Sequence, residues 1–469
     1  MMLATKGLNL GSDKTEMKIS KLKSQWKDKS ILIVGGGLTG LSCARFLKKQ
    51  GFDFIIVDSR SSVISITDIK NKIEIICGEF QEHYFNSADI LIVSPGVSVK
   101  HPYIQQALQQ GKQVLGDVAL FCMLTDTPII AITGSNGKST VTTLVGEILN
   151  SSGLEARVGG NIGVPCLELL ADTEPDCYVL ELSSFQLETT PNLDAYVSVI
   201  LNLSEDHMDR YDSFADYCSV KQKVFKNTQN LVVNTDDQRT VELTASIDVN
   251  KITFGLENKA GLNFYIDTNN GSEWVYHDGQ PLIDISNIKI AGQHNKLNIL
   301  AVLSLCSVFD IELSKTEKVI NHFTGLEHRS QVISTKKSVR WINDSKATNI
   351  GATCAALKGF SDSPLYLILG GQSKGQDFSE LIPFLAKNIK QVIIFGEDAE
   401  LIFNTIKSVA GLSVTKVQTL EESVQFIEPY VVKNDVVLFS PACASFDQFD
   451  NYVDRGQSFI SIVQDRVEA

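Results

Sequence analysis

The chain has 469 residues, which at roughly 150 residues per domain predicts about three domains. Hydrophobic residues are 43% and charged residues 21%, the balance of a soluble globular protein, so disorder, collagen and coiled coil are excluded. The formal charge of −13 opposes broad nucleic-acid binding, because the phosphate backbone is itself anionic; only a local basic pocket for a small anion remains open.

The first 30 residues are polar and lack the apolar core of a secretory signal. They are expected to form a loose extension, with Met17 as a second candidate start. The first strand signal is Ile31–Val34, followed by the turn GGGLTG (Gly35 to Gly40), a helical stretch from Leu41 to Gly51, and a strand at Phe54–Val57 ended by Asp58. Strand, glycine turn, helix and strand make a βαβ unit. Further strands are predicted at Ile73–Ile76 and Ile90–Val93, and a boundary near Gly116 closes a domain over 31–116.

The second segment, 117–325, opens with an apolar run from Pro128 to Ile132 and then TGSNGKST (Thr133 to Thr140). The helix after it places Val141, Leu144, Val145, Ile148 and Leu149 on one stripe. Strands are predicted at Tyr178–Leu182 and Tyr196–Leu201. Residues near 250–290, with an Asn269-Asn-Gly turn, read as a small β excursion rather than another βαβ unit. A buried helix is predicted near Lys296–Phe309; its 13-residue apolar run is too short to span a bilayer, so no membrane insertion is expected. The third segment, 326–469, alternates again, with strands at Arg340–Ile342, Leu365–Leu369, Gln391–Phe395 and Val436–Phe439. Nine scattered cysteines (Cys43, Cys77, Cys122, Cys166, Cys177, Cys218, Cys306, Cys354 and Cys443) include no CxxC pair, which predicts a reducing, cytoplasmic setting without disulfides or a zinc ribbon.

Several motifs carry chemistry. Gly35 to Gly40 matches GxGxxG with Asp58 about 20 residues on, a turn whose helix amides can face a phosphate. It leaves an NAD reading and a nucleotide-sugar reading both open. Gly134-Ser135-Asn136-Gly137-Lys138-Ser139 lies between a strand and a helix, as a phosphate loop must, in the shorter form GxxGKS. Its amides and Lys138 would cradle the β- and γ-phosphates, and Ser139 would reach Mg²⁺. His207 follows one strand and Glu181 ends another, so together they could meet a second Mg²⁺. Taken alone, a His in an Asp-His pair is more often a hydrogen-bonded structural residue; beside a phosphate loop the balance moves toward function. The clusters Asp344-Ser-Lys346-Ala-Thr348-Asn349, Gly371-Gln-Ser-Lys374 and Ser440 to Phe449 each end a strand; the first and last could be helix caps and Lys374 could meet an anion, but three at one sheet suggest a single crevice.

Together TGSNGKST, NLSEDHMDRY, GQHNKLN, GLEHRSQ, WINDSKATN, LGGQSKG and SPACASFDQF resemble the Mur ligase family, from roughly Ile31 to the C-terminus. Of these, WINDSKATN and SPACASFDQF resemble its D-glutamate-adding branch. The resemblance implies an α/β chain of three domains: N-terminal Rossmann-like, central P-loop ATPase-like with the β excursion, C-terminal Rossmann-like. It implies ATP-dependent amide formation through an acyl phosphate, with UDP-N-acetylmuramoyl-L-alanine and D-glutamate as small-molecule substrates and a monomeric enzyme.

Residue by residue, the resemblance implies a uridine-diphosphate site at Leu38, Thr39, Asp58, Ser59 and Arg60, and muramoyl-alanine contacts at Asn161, Ser183 and His207. It implies ATP contacts at Gly134, Ser135, Asn136, Gly137, Lys138, Ser139, Thr140, Asn295, Asn298, Arg329 and Asp344. Lys138, His207, Lys221 and Lys346 are the expected catalytic residues. Two Mg²⁺ sites are expected at Ser139, Glu181, His207 and a CO₂-derived carbamate on Lys221, a lysine that residue chemistry alone would place at the surface. The D-glutamate pocket is expected from Thr348, Lys374, Ser445 and Phe446. Phe446 stands where the family pattern often has Leu, and Tyr452 where it often has Phe. Another Mur or folylpolyglutamate-like ligase remains an alternative, as does an NAD-dependent oxidoreductase resting on GxGxxG alone.

Overall fold

A computed structural model describes residues 10–61, 75–171, 173–290, 292–360, 363–385 and 388–468. Three sheets follow one another along the chain.

The first sheet has the order Ile75–Cys77, Phe54–Asp58, Ile31–Val34, Ile90–Val93, Gln113–Leu115, all parallel. Its central strands, Ile31–Val34 and Ile90–Val93, are buried at every residue, as continuous apolar runs must be when helices cover both faces. The strand predicted over Ile73–Ile76 is seen from Ile75; Ile73 and Glu74 lie outside the described residues. Gly40 lets the helix Leu38–Gln50 seat against the first turn, because a Cβ there would lie 1.9 Å from the Gly35 carbonyl oxygen.

The second sheet is larger than its sequence signals suggest. Ile129–Thr133 lies between Cys177–Glu181 and Val197–Ile200, with Ala156–Gly160 outside the former. On the other side Asn230–Asn234 and Asn250–Phe254, joined by the helix Gln238–Thr244, form a further βαβ unit. Its apolar run is only Leu231-Val232-Val233 between asparagines, too brief to stand out in the sequence. The β excursion continues this same sheet: Phe264–Asn269 pairs parallel to Asn250–Phe254, and Ser272–His277 and Gln280–Asp284 add antiparallel strands. Asn270 and Gly271 both have positive φ (51° and 85°), the geometry of a two-residue hairpin turn.

The third sheet has the order Gln331–Ser334, Arg340–Asn343, Val436–Phe439, Leu365–Gly370, Ile389–Phe395, Val414–Lys416, with only the first edge antiparallel. The three strands whose ends carry polar clusters are thus immediate neighbours, and their C-terminal loops share one edge.

The N-terminal segment corrects the expectation of a loose extension. Leu10–Gln25 is a helix, and Leu22 and Trp26 are buried in a core shared by the first and central domains. Trp26 meets Phe52 edge-on at 5.7 Å, while Lys18 binds Asp126 at 2.6 Å and Thr15 donates to Glu174 at 3.1 Å. Leu22 and Trp26 are four residues apart on one helical face, a signal diluted by the surrounding lysines. Removing the buried ring with Trp26→Ala is expected to cost about 3 kcal/mol, read as a lowered urea midpoint. The exposed control Lys27→Ala should leave that midpoint unchanged.

Candidate functional site

The buried strand Ile129–Thr133 runs into the loop Gly134 to Gly137, and the helix Lys138–Ser151 starts at once. Gly137 has φ 84°, and a Cβ on it would lie 2.4 Å from the Asn298 side-chain oxygen. Only glycine therefore lets the loop pass under the helix that carries Asn298. The amides of Lys138, Ser139 and Thr140 form the positive end of their helix. Lys138 Nζ donates to the Gly134 and Ser135 carbonyls, both at 2.8 Å, and burial pulls its pKa down. Asn136 N donates to Asn202 Oδ1 at 2.9 Å, and Ser135 Oγ lies 2.9 Å from the Tyr217 hydroxyl, so the loop shape is held from outside.

Beside the loop, Ser139 Oγ donates to Glu181 Oε2 at 2.6 Å, Asn161 Nδ2 donates to Glu181 Oε1 at 2.8 Å, and Arg329 donates to Ser139 Oγ at 2.6 Å. Burial pushes Glu181 up, but the Lys138 charge and the hydrogen bonds from Ser139 and Asn161 outweigh it and leave the acid below its ordinary value. His207 has φ 59° and packs 4.6 Å from the Phe185 ring. Burial lowers it to about 4, so it is a neutral imidazole with a lone pair at neutral pH. Lys221 corrects the surface placement that residue chemistry alone suggests: it is 2% exposed, with Nζ 2.9 Å from the Gly134 carbonyl. Burial and the nearby Lys138 charge lower it well below the usual lysine range. A neutral amine is the form that reacts with CO₂.

Among the described residues no group of three or more His, Cys, Asp or Glu could hold a metal. The Ser139–Glu181 oxygen pair nevertheless suits Mg²⁺, which typically takes one or two protein oxygens and completes its shell with phosphates and water.

Two cavities meet at this loop. One of about 330 Å³ is lined by Gly137, His294, Asn295, Asn298, Arg329 and Asp344, so central and third domains share it. Asp344 accepts from Ser330 N at 3.0 Å and Ser440 Oγ at 2.7 Å, and burial raises it to about 6. The other, of about 240 Å³, brings together Glu181, Ser183, His207, Lys221, Lys346 and Thr348. Ser183 also caps the helix Ser184–Glu188 through Gln186 N at 3.2 Å. Lys346 Nζ lies 3.7 Å over the Tyr452 ring, and burial lowers it to about 7.

Lys374 pairs with Asp206 at 3.1 Å, both nearly buried. Burial opposes ionisation of Asp206, but the Lys374 charge overrides it and holds the carboxyl at about 2. Asn349 Nδ2 donates to the same Asp206 at 3.1 Å. Ser445 is buried, whereas Phe446 is 70% exposed. The aromatic group at Lys346 is Tyr452 instead. Asp206 and Asn349, which lie within quoted motifs but receive no role in the sequence reading, bond to each other here, and Tyr452, noted there only as a departure from the family pattern, packs on Lys346.

In the first domain Leu38 is exposed at the start of its helix. Asp58 is buried and committed to its own chain: it accepts from Gly36 N at 2.7 Å and from Arg60 N and Nε at 2.9 and 2.8 Å. The Arg60 hydrogen bonds hold it at about 2. Asp58 thus braces the glycine turn, and Ser59 and Arg60 remain on the solvent side. Arg210 ties the DHMDRY loop to this domain: it donates to Pro95 O at 2.8 Å, pairs with Glu188 at 2.6 Å, and stacks 4.0 Å over Phe185.

A nucleotide-type phosphate loop facing a cation-lined crevice that its own domain shares with a third α/β domain defines a three-domain P-loop enzyme. Family models match residues 29–116 (Mur ligase MurD-like, N-terminal domain), 132–306 (Mur ligase middle domain) and 328–443 (Mur ligase, glutamate ligase domain). The chain belongs to the Mur ligase family. It is 40% identical to UDP-N-acetylmuramoylalanine–D-glutamate ligase of Vibrio vulnificus over 94% of this chain and 99% of that one. The Escherichia coli ligase of the same name is 39% identical over the same shares. Among solved structures, UDP-N-acetylmuramate-alanine ligase MurC of Thermotoga maritima aligns with TM-score 0.59 at 20% identity, covering 93% of this chain and 99% of that one. Thermotoga maritima MurF ligase, solved in complex with ADP, aligns with TM-score 0.58 at 16% identity, covering 93% and 95%. These two likenesses concern the fold.

The depressed lysines predict a proton linkage. With Lys346 near 7, its free-site form at pH 8 is mostly neutral, and a polyphosphate in the crevice favours the charged form. Nucleotide binding at pH 8 should therefore take up protons. Calorimetry in two buffers of different ionisation enthalpy reads this directly, and the uptake should shrink in Lys346→Met.

Proposed function

We propose that this enzyme joins D-glutamate to UDP-N-acetylmuramoyl-L-alanine at the expense of ATP, in peptidoglycan precursor synthesis. The observation that carries the reading is the crevice itself: a phosphate loop opens onto Lys138, Lys221, Lys346, Lys374 and Arg329, against the carboxylates Glu181 and Asp206. The Vibrio vulnificus and Escherichia coli relatives at about 40% identity, both named for this ligation, supply the substrates.

The alanyl carboxylate attacks the γ-phosphorus; a carboxyl O–P bond forms, the bond to the β-phosphate oxygen breaks, and ADP leaves. The free amine of D-glutamate then attacks the acyl carbon, the C–N bond forms, phosphate departs and the amine loses a proton. Carboxylate and triphosphate repel, so the site must neutralise charge before they meet. Lys138 and the helix amides take the β- and γ-phosphates, and Lys346 faces the charge that builds on the transferring group. Asn295 and Asn298 border the nucleoside, with Arg329 and Asp344 closing over it. Leu38, Thr39, Ser59 and Arg60 take the uridine diphosphate, with Asp58 bracing the turn; Asn161, Ser183 and His207 take the muramoyl-alanine end. Thr348, Lys374 and Ser445 take D-glutamate, the lysine answering a carboxylate.

Two Mg²⁺ ions, when bound at Ser139 and Glu181 and at His207 and a carbamylated Lys221, would offset phosphate charge. The carbamate forms when the neutral Lys221 amine bonds to CO₂ and releases a proton. The enzyme works as a monomer in the cytoplasm, a reading that fits its nine free cysteines; among the described residues no helix is long and apolar enough to cross a membrane.

Phosphate release with ATP, Mg²⁺ and UDP-N-acetylmuramoyl-L-alanine, adding one amino acid at a time, tests this. Release with D-glutamate, and not with L-glutamate, L-lysine or diaminopimelate, is expected. Release with another amino acid would discard the proposed specificity. Lys138→Ala should lower kcat at least about 100-fold, the scale of one lost charge-stabilising donor. Enzyme equilibrated with ¹³C-bicarbonate should show a carbamate resonance that Lys221→Ala lacks.

A further inference from the structure

Arg455 lies in the last long helix, Tyr452–Val463, and is completely buried. Its hydrogen bonds go to uncharged oxygens: Nε donates to Ser345 Oγ at 3.0 Å, Nη2 to Ser345 O at 2.8 Å and Cys443 O at 3.0 Å, and Nη1 to Ala444 O at 3.1 Å. Burying a guanidinium with no carboxylate bonded to it is costly, and burial, opposed by the more distant Asp447 charge, draws it down to about 10, so it stays cationic at neutral pH. A core that needed only packing would be served as well or better by an apolar side chain. The feature an apolar group cannot supply is the planar fork, which fixes several carbonyls at once.

Those carbonyls belong to loops that carry the site. Ser345 precedes Lys346 and Thr348, at the end of the strand Arg340–Asn343. Cys443 and Ala444 precede Ser445, beyond the strand Val436–Phe439. Ala444 in turn pairs with Gln372, two residues before Lys374. A Cβ on Gly371 would lie 2.2 Å from Ala444 O and 3.1 Å from Arg455 Nη1, so this third loop presses on the same fork. Ser345 Oγ, while accepting from Arg455, donates to Tyr452 O at 2.8 Å and closes the ring of contacts back to the helix.

We infer that Arg455 is the positioning residue of the amino-acid subsite: one buried fork sets the spacing of the three loops that present Thr348, Lys374 and Ser445. It touches neither ATP nor the nucleotide-sugar portion, and acts on the incoming amino acid only through those loops. The inference rests on the subsite assignment made above.

Steady-state kinetics on wild type, Arg455→Lys and Ser345→Ala, varying each of the three substrates, tests it. A lysine keeps the charge but reaches one loop at a time. Arg455→Lys should therefore raise KM for the amino acid about tenfold or more, with KM for ATP and for the nucleotide sugar within about twofold of wild type. Ser345→Ala removes the Nε contact and the link to Tyr452, and should raise the amino-acid KM about threefold in the same selective way. An unchanged amino-acid KM, or equal increases for all three substrates, overturns the inference. If Arg455→Lys is insoluble, Ser345→Ala decides by the same criterion. The amino acid is whichever one wild type adds, so a wrong substrate assignment shows in wild type and a wrong role for Arg455 shows only in the variants.

Discussion

Positive charge crowded into a dry crevice is the constraint around which the rest of the molecule is arranged. Lys138, Lys221, Lys346 and Arg329 act on one another there, and Lys374 sits close by. In a low-dielectric setting such repulsion is large, and burial already disfavours each charge. The protein tolerates it by giving each group a partner: loop carbonyls for Lys138 and Lys221, Asp206 for Lys374, Ser139 for Arg329 and the Tyr452 ring for Lys346. Burial first, and the neighbouring cations after it, hold three lysines below their ordinary pKa. Such a site gains most when polyanions arrive, because they relieve the repulsion that folding imposed.

The topology serves that arrangement. The phosphate loop, Glu181 and the segment after Val197–Ile200 leave three adjacent strands of the central sheet at the same edge. The loops with Lys346, Lys374 and Ser445 leave three adjacent strands of the third sheet. Two sheet edges therefore face each other, and ligands bind where parallel strands end. The first domain joins through Arg210, which grips the Pro95 carbonyl and stacks on the ring that supports His207.

Much of this was legible in the sequence because it is local. The phosphate loop reads from six consecutive residues between a strand and a helix, and the strand-end clusters read from their placement after apolar runs. What could not be read is convergence. Nothing near Lys221 in the chain says that its side chain turns inward beneath Gly134. Phe446 and Tyr452 are both aromatic residues near one loop, and only the turn after Ser445 decides that the first faces solvent and the second meets Lys346. Asp58 follows the glycine turn at the spacing of a nucleotide site, yet its carboxylate is occupied by Gly36 and Arg60. Spacing reports where a residue lies along the chain, and pairing partners decide what it is free to do. The N-terminal helix shows the same limit: two apolar residues among many lysines read as solvated, and become core only because Phe52 waits opposite.

The links between the central and third domains are unequal, and that inequality has a consequence. Arg329 holds a hydroxyl, a neutral acceptor whose exchange for a phosphate oxygen strengthens the bond. Asn349 bridges Asn136 and Asp206 without charge of its own. Among the described residues, only Lys374 and Asp206 form a nearly buried ion pair across the crevice. Removing one member of such a pair strands the other, at a cost of about 3–5 kcal/mol, unless a ligand or water replaces it. Opening the crevice hydrates both groups, and a carboxylate ligand at Lys374 leaves Asp206 with Asn349 still donating to it. The pair can therefore yield to an anionic substrate without stranding either charge, which is how a closed site can be both ordered and accessible.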